Sequence, residues 1–201
     1  MARQYNVNRH TVRRAISRLA ELGLVKVEQG RGTFVTRNII DYPIQKRTRF
    51  SETVKRQNRI PSGTLLLTDI QTANQDLAFT LNTQIGTPIL RIEILNMIDG
   101  DPVSIGNHYF SLIRFPSFED IFKTTMSITK TLTRLGHANY ERRHTKIIAR
   151  MPESREADIL RQSPNRPVLT TESINVDFNN KALEFGISCF AADRFQILVE
   201  T

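Results

Sequence analysis

Five arginine side chains that could bind phosphate groups or the edges of guanines lie close together near the start of the sequence. They occur within residues 7–35 and are Arg9, Arg13, Arg14, Arg18 and Arg31. The wider charge distribution follows the same pattern. Residues 1–60 hold 14 Lys and Arg against 4 Asp and Glu, whereas residues 61–201 hold 14 against 16. A basic segment joined to a nearly neutral remainder predicts a module that binds a polyanion.

Catalytic and metal-binding patterns are missing from the sequence. The four histidines have no metal-ligand spacing, and no phosphate-binding glycine loop or nucleophile motif occurs. The lone Cys189 stands in an apolar stretch, which favours a small buried residue and fits a reducing cytoplasm. No apolar run approaches the roughly 20 residues of a membrane span. We therefore expect a cytoplasmic protein that is not an enzyme and needs no cofactor or metal.

The basic segment must be positioned by a helix and a hairpin. Asn8 is a good N-cap for the helix that Gly23 ends. One buried helical face is predicted by the spacing of Val12, Ala15, Ile16, Leu19, Ala20 and Leu22. Strands are predicted at 24–28 and 33–35, on either side of a glycine-containing turn. Because residues 1–5 are typical of the end of another helix, the order is helix, turn, helix and β-hairpin wing.

This order predicts DNA binding, since the second helix of a helix-turn-helix enters the major groove with its first residues against base edges. A wing tip with two glycines allows a cation to approach a phosphate or the minor groove closely. The predicted DNA-binding residues are Arg9, His10, Thr11, Arg13, Arg14, Gln29, Gly30 and Arg31.

The stretch "NRHTVRRAISRLAELGLVKVEQGRGTFV" resembles the winged-helix domain of GntR-family bacterial transcription regulators. In that family a complete first helix precedes the helix-turn-helix, whereas residues 1–5 here match positions inside the second helix. The resemblance therefore implies that the first helix is missing, either because the chain is a fragment or has a misassigned start or because its DNA-binding domain is impaired. We expect this chain to bind DNA poorly, although its second domain folds independently.

The remainder resembles the effector domain of the HutC branch, called UTRA, whose fold is shared with chorismate lyase. Within that branch "DYP" at 41–43, "RFS" at 49–51, "HYF" at 108–110 and "LEF" at 183–185 are most similar to a regulator of phosphonate metabolism. The predicted domains are residues 1–36, a DNA-binding winged helix; 37–48, a linker interrupted by Pro43; and 49–201, the effector domain. Sequential hairpins with helices between them predict an α+β fold with an antiparallel sheet.

An anion site is predicted where a helix starts near Ser51, with Arg49 just before it. UTRA effectors are often small anions, including sugar phosphates, and an Arg-x-Arg pair commonly precedes the proline matched by Pro102. The corresponding residues here are Ile94 and Asn96. Neither can neutralise a phosphate, but Asn96 can hydrogen-bond a less charged ligand.

Further ligand contacts are predicted on other strands of the same domain. Asn107 and Tyr109 share one strand face, which turns His108 the other way. Glu184 matches an acidic position of the family, with Ser188 on the same strand face, and Thr145 matches a hydroxyl position. A purely structural role for each of these side chains stays open.

Together these features predict a transcription regulator, specifically a repressor, that binds double-stranded operator DNA as a homodimer. Its second domain binds a small anionic metabolite, and the resemblance implies phosphonate or phosphate metabolism. The alternative is a ligand-sensing protein, or a lyase-like enzyme, with a vestigial DNA-binding domain.

Overall fold

The computed structural model describes residues 2, 5–21, 25–28, 32–35, 39–47 and 49–199. The chain divides into two compact units, residues 1–39 and 40–201. Within the described ranges, no helix is both long enough and apolar enough to cross a membrane.

The amino-terminal unit contains helix α1 (Arg9–Glu21) and strands β1 (Val25–Glu28) and β2 (Gly32–Val35). The Asn8 side chain accepts a hydrogen bond from the backbone N–H of His10 at 2.9 Å, which confirms the predicted N-cap. The two strands pair antiparallel and form the predicted wing. Its tip, Gln29, Gly30 and Arg31, lies outside the described residues, as do Leu22 and Gly23.

The apolar face of α1 is less buried than the sequence predicted. Val12, Ile16 and Ala20 form a half-buried stripe, whereas Ala15 and Leu19 are exposed, and no residue of the helix is buried. The helix contacts β1, and a two-stranded hairpin covers only a narrow strip of a helix. The prediction of one broad buried face was therefore wrong.

The second unit is built on a six-stranded antiparallel sheet, which confirms the predicted α+β class. Its strands, in the order in which they pair, are β4 (Pro61–Thr72), β5 (Pro88–Ile98), β6 (Asp101–Ser111), β9 (Ala182–Ala191), β8 (Val168–Val176) and β7 (Glu141–Arg150). A two-residue turn joins β5 to β6. Asp99 and Gly100 have φ angles of 52° and 85°, as a two-residue hairpin turn requires.

The remaining helices are α2 (Phe50–Arg56), α3 (Gln75–Thr80), α4 (Phe118–Thr125), α5 (Ile128–Arg134) and α6 (Ser154–Ile159). The largest core cluster joins Phe118 and Phe122 of α4 and Leu132 of α5 to Leu90 and Phe110 of the sheet. Smaller clusters form around α3 and around Leu160, which directly follows α6. Helices thus pack on the sheet at several places, while strand β7 stays largely exposed.

The segment predicted to be a linker contains regular structure. Strand β3 (Ile40–Pro43) pairs in parallel with β10 (Phe195–Leu198), apart from the main sheet. Pro43 is accommodated because it stands at the last position of a short strand in a two-stranded ladder. The following helix α2 begins at Phe50. Arg49 occupies its cap position, so Ser51, near which the helix was predicted to start, lies within its first turn.

A helix-capping comparison tests the fold of the second unit. Asn74 caps α3 by accepting from the backbone N–H of Leu77 at 2.9 Å, whereas Ser117 occupies the cap of α4 without such a bond. We expect Asn74→Ala to lower the free energy of unfolding by about 1 kcal/mol. Ser117→Ala, the matched control, should leave it nearly unchanged. Urea unfolding measures both, and equal losses would contradict this account.

Candidate functional site

A cavity of about 510 Å³ opens within the second unit. It is lined by residues of strands β4 to β9, of β3, of α2, and of α5 and the turn before it. It has the size of a pocket for a small molecule.

A buried carboxylate with two hydrogen bonds lines this cavity. Glu184 Oε1 is 2.5 Å from His108 Nδ1, and its Oε2 accepts from the Asn175 amide at 2.7 Å. Burial raises the pKa of Glu184, but the hydrogen bonds from His108 and Asn175 and the charge of Arg142 outweigh it, so the pKa lies below its ordinary value. Glu184 is thus held as an anion that positions the imidazole of His108.

Two glycines leave room for that imidazole. A Cβ on Gly106 would lie 2.7 Å from His108 Nε2, too close for any side chain. Gly186 is the cross-strand partner of His108, and a Cβ there would meet Ser173, Glu184 and His108 at 3.4 to 3.9 Å. Glycine at both positions allows the ring to lie close to the sheet.

Positive charge is in excess among the residues that line the cavity. The four cations are Arg49, Lys55, Lys130 and Arg142, and the two carboxylates are Glu52 and Glu184. Arg49 already contacts other side chains, since it pairs with Glu52 at 3.3 Å and stacks on the Tyr140 ring at 5.3 Å. Arg142 is less engaged in hydrogen bonds with other side chains. Its Nε is buried and has no hydrogen-bond partner within the described part of the chain.

Five of the eight predicted ligand residues line this cavity, namely Arg49, Ser51, Asn96, Glu184 and Ser188. The other three do not. The Asn107 side chain accepts from Arg91 at 2.9 Å, and Tyr109 stacks on Phe185 in a separate groove on the sheet. Thr145 pairs with Ser173 in register but stays outside the cavity lining.

Sequence reasoning missed several residues of the cavity, above all His108, Asn175, Arg142, Tyr42 and Tyr140. The prediction that His108 points away from the site was wrong. A one-residue irregularity between β5 and β6 pairs Asn96 with Ser104 and His108 with Ile92, so that His108 takes the cavity side. Alternation of strand faces counted from the turn at Asp99 and Gly100 gives the opposite face, so the sequence alone does not identify His108.

The predicted DNA-binding residues that the structure describes all lie on α1. Arg9, His10, Thr11, Arg13 and Arg14 are all exposed at or near its first turn. Arg18, by contrast, lies near the other end of the helix and pairs with Glu21 at 2.9 Å.

Cys189 is a buried thiol, as the sequence predicted. The thiol is buried, and burial together with the nearby Glu156 raises its pKa to about 12, so it is a poor nucleophile. Among the described residues, no group of three or more His, Cys, Asp or Glu side chains could hold a metal ion.

Acid should weaken the fold partly through Glu184. Because its folded pKa lies below the ordinary value of 4.5, the carboxylate stabilises the protein above that pH and loses this contribution as the pH falls further. We expect the unfolding free energy of Glu184→Gln to fall less steeply than that of the parent between about pH 5 and pH 3. Denaturant melts across this range test it, and parallel slopes would contradict it.

The fold and the cavity define a DNA-binding unit joined to a small-molecule-binding unit, and comparison with known families agrees. Residues 1–35 match the model of bacterial regulatory proteins of the gntR family, and residues 56–196 match that of the UTRA domain. The chain belongs to the GntR family and is a transcription regulator with a UTRA effector domain of the HutC type. Regulators of this family bind operator DNA and bind effectors through the UTRA domain.

Particular relatives are regulators as well. The chain is 38% identical to the uncharacterized HTH-type transcriptional regulator RB1450 of Rhizobium meliloti, over 100% of this chain and 83% of the relative. It is 28% identical to the HTH-type transcriptional repressor PhnF of Mycolicibacterium smegmatis, over 96% and 78%. The crystal structure of PhnF from Mycobacterium smegmatis superposes with a TM-score of 0.77 at 26% identity, covering 100% of this chain and 88% of that one.

Proposed function

We propose that this regulator is a cytoplasmic repressor, that it binds its operator as a homodimer, and that a small anion in the cavity of its second unit releases it from DNA. The observation that carries the proposal is the cavity itself, which is lined by Arg142, whose Nε is buried and has no hydrogen-bond partner among the described residues. The excess of cationic side chains around it favours a negatively charged effector.

The chemistry of the cavity points to a compact effector with one anionic group. Ile94 and Asn96 face the cavity, and neither side chain carries a charge. The anionic group would bind Arg142, while Asn96, Ser104 and Ser188 offer hydrogen bonds to the rest of the molecule. Phosphonate or phosphate metabolism is the regulon that we propose, on the resemblance of the four short motifs and on the PhnF relatives.

The exposed basic end of α1 supports operator binding through the amino-terminal unit. One short helix contacts only a few base pairs, so a specific operator requires two half-sites and two copies of the chain. Dimerisation through residues 40–201 would bring two copies of α1 to the two half-sites of a pseudo-palindromic operator.

Two measurements on the full chain test this proposal. Thermal melts with methylphosphonate, inorganic phosphate, phenyl phosphate or acetate at matched ionic strength should show stabilisation by at least one anion. Titration onto a labelled duplex of the upstream intergenic DNA should show a preference over a scrambled duplex, although we expect this chain to bind DNA weakly. An unchanged melting temperature with every anion would overturn the effector proposal, and equal affinity for both duplexes would overturn operator recognition.

A further inference from the structure

The second unit begins with a segment that is both tied to its fold and directly joined to the DNA-binding unit. Residues 40–47, here called the linking segment, follow Ile39, the last residue of the amino-terminal unit. The Ile40 N–H donates to the Arg194 carbonyl and the Ile44 N–H to the Leu198 carbonyl, each at 2.9 Å. A shift of this segment therefore moves the residue through which the second unit is joined to the amino-terminal unit.

One side chain of the linking segment forms part of the cavity wall. Tyr42 is buried, and its ring packs against Phe195 and Phe190 with centroid distances of 4.9 and 5.9 Å. The same residue lines the cavity together with Phe190 and Arg142. Aromatic packing thus fixes the ring, so the hydroxyl is the group of Tyr42 that can interact with a ligand in the cavity.

Arg142 contacts the linking segment as well as the cavity. Burial raises the pKa of Tyr42, and the Arg142 guanidinium beside the hydroxyl opposes that rise. The backbone N–H of Arg142 also donates to the Lys46 carbonyl at 2.7 Å. Next to it, Glu141 lies 3.8 Å from Arg47. The start of β7 therefore holds the linking segment at two places.

We infer that Tyr42 is the positioning residue through which an effector bound at Arg142 alters the linking segment and so weakens DNA binding. The inference rests on the proposed function. A full negative charge binds a guanidinium more strongly than a neutral phenol does. An anion in the cavity therefore draws the guanidinium away from the Tyr42 hydroxyl, and the contact that stabilised the ligand-free position of β3 is lost.

The test measures coupling rather than affinity. For the full chain, the dissociation constant of an anion from the panel above, methylphosphonate first, is measured with and without saturating operator DNA. The ratio of the two constants is the coupling factor, expected to be about 5- to 150-fold in the parent. Tyr42→Phe keeps the packed ring and removes only the hydroxyl. We expect its coupling factor to fall below about threefold.

A hydroxyl that merely touches the ligand would change both constants alike and leave their ratio unchanged, which would overturn the inference. Tyr140→Phe is the matched control. It removes a second cavity hydroxyl, one that hydrogen-bonds Thr129 at 3.0 Å, and should keep the parental ratio. Equal loss in both variants would also overturn the inference. A parental ratio of one, or no anion binding at all, would overturn the proposed function and the inference with it.

Discussion

Replacing Arg142 with alanine should weaken the binding of the stabilising anion to the full chain by about 10- to 100-fold. Hydrogen bonds to charged groups contribute about 1.5–3 kcal/mol each, and about 1.4 kcal/mol corresponds to a factor of ten. The other cavity cations cannot replace it fully, because Arg49 is paired with Glu52 and both Lys55 and Lys130 are exposed. Isothermal titration calorimetry of the folded variant measures the loss.

Arg143 provides the matched control for this substitution. It is adjacent in the chain and has the same charge, but it is exposed and does not line the cavity. Arg143→Ala should change anion affinity less than about threefold, since exposed charges are screened by solvent and salt. An equal loss in both variants would show that the general positive field, rather than a bond to Arg142, holds the anion.

Replacing Arg13 with alanine should weaken binding to the operator by about 1–3 kcal/mol and relax the choice of base at one position in each half-site. Arg13 is exposed on α1, one turn after Arg9, where a helix in the major groove meets base edges. Binding to a scrambled duplex should change much less, because base contacts add little to non-specific affinity. Fluorescence anisotropy with both duplexes separates the two effects.

Arg18 on the same helix serves as the control for Arg13. Its guanidinium pairs with Glu21 at 2.9 Å near the carboxyl end of α1, away from the residues predicted to meet the bases. Arg18→Ala should leave the preference for the operator over the scrambled duplex unchanged. If Arg18→Ala reduced that preference and Arg13→Ala did not, α1 would lie in the groove in another orientation or not at all.

Local signals in the sequence mark individual elements in both units. The turn residues Asp99 and Gly100 tolerate positive φ, and the apolar run at 88–98 forms β5 over those residues. The capping residue Asn8 likewise marked the start of α1. In each case the determining interactions lie within a few residues of one another along the chain.

The faces of β6 could not be predicted in the same way, because they depend on one register shift. Ile98 pairs with Asp101 and Met97 with Pro102, but Asn96 pairs with Ser104, which leaves Val103 as the extra residue. A shift of one residue reverses which side chains face the cavity. Had the register continued unshifted, Asn107 would have stood opposite Ile92, where His108 is found.

The cavity also brings together residues that are far apart in the sequence. His108 and Glu184 are separated by 76 positions, and they meet because β6 and β9 are neighbours in the sheet. Tyr42 approaches Arg142 from a strand outside that sheet, in a segment predicted to be a linker. Composition and periodicity carry no information on such pairings, so Arg142, Asn175 and Tyr42 required the tertiary structure.

The most direct test of an effector-controlled repressor is the release of the full chain from its operator. Protein bound to a labelled upstream duplex is titrated with the anion that stabilises it most, and in parallel with an anion of the panel that does not stabilise it, at equal ionic strength. The account predicts that the first anion raises the dissociation constant for the operator by about 5- to 150-fold and that the second leaves it unchanged. Equal effects of the two anions, or none, would contradict it.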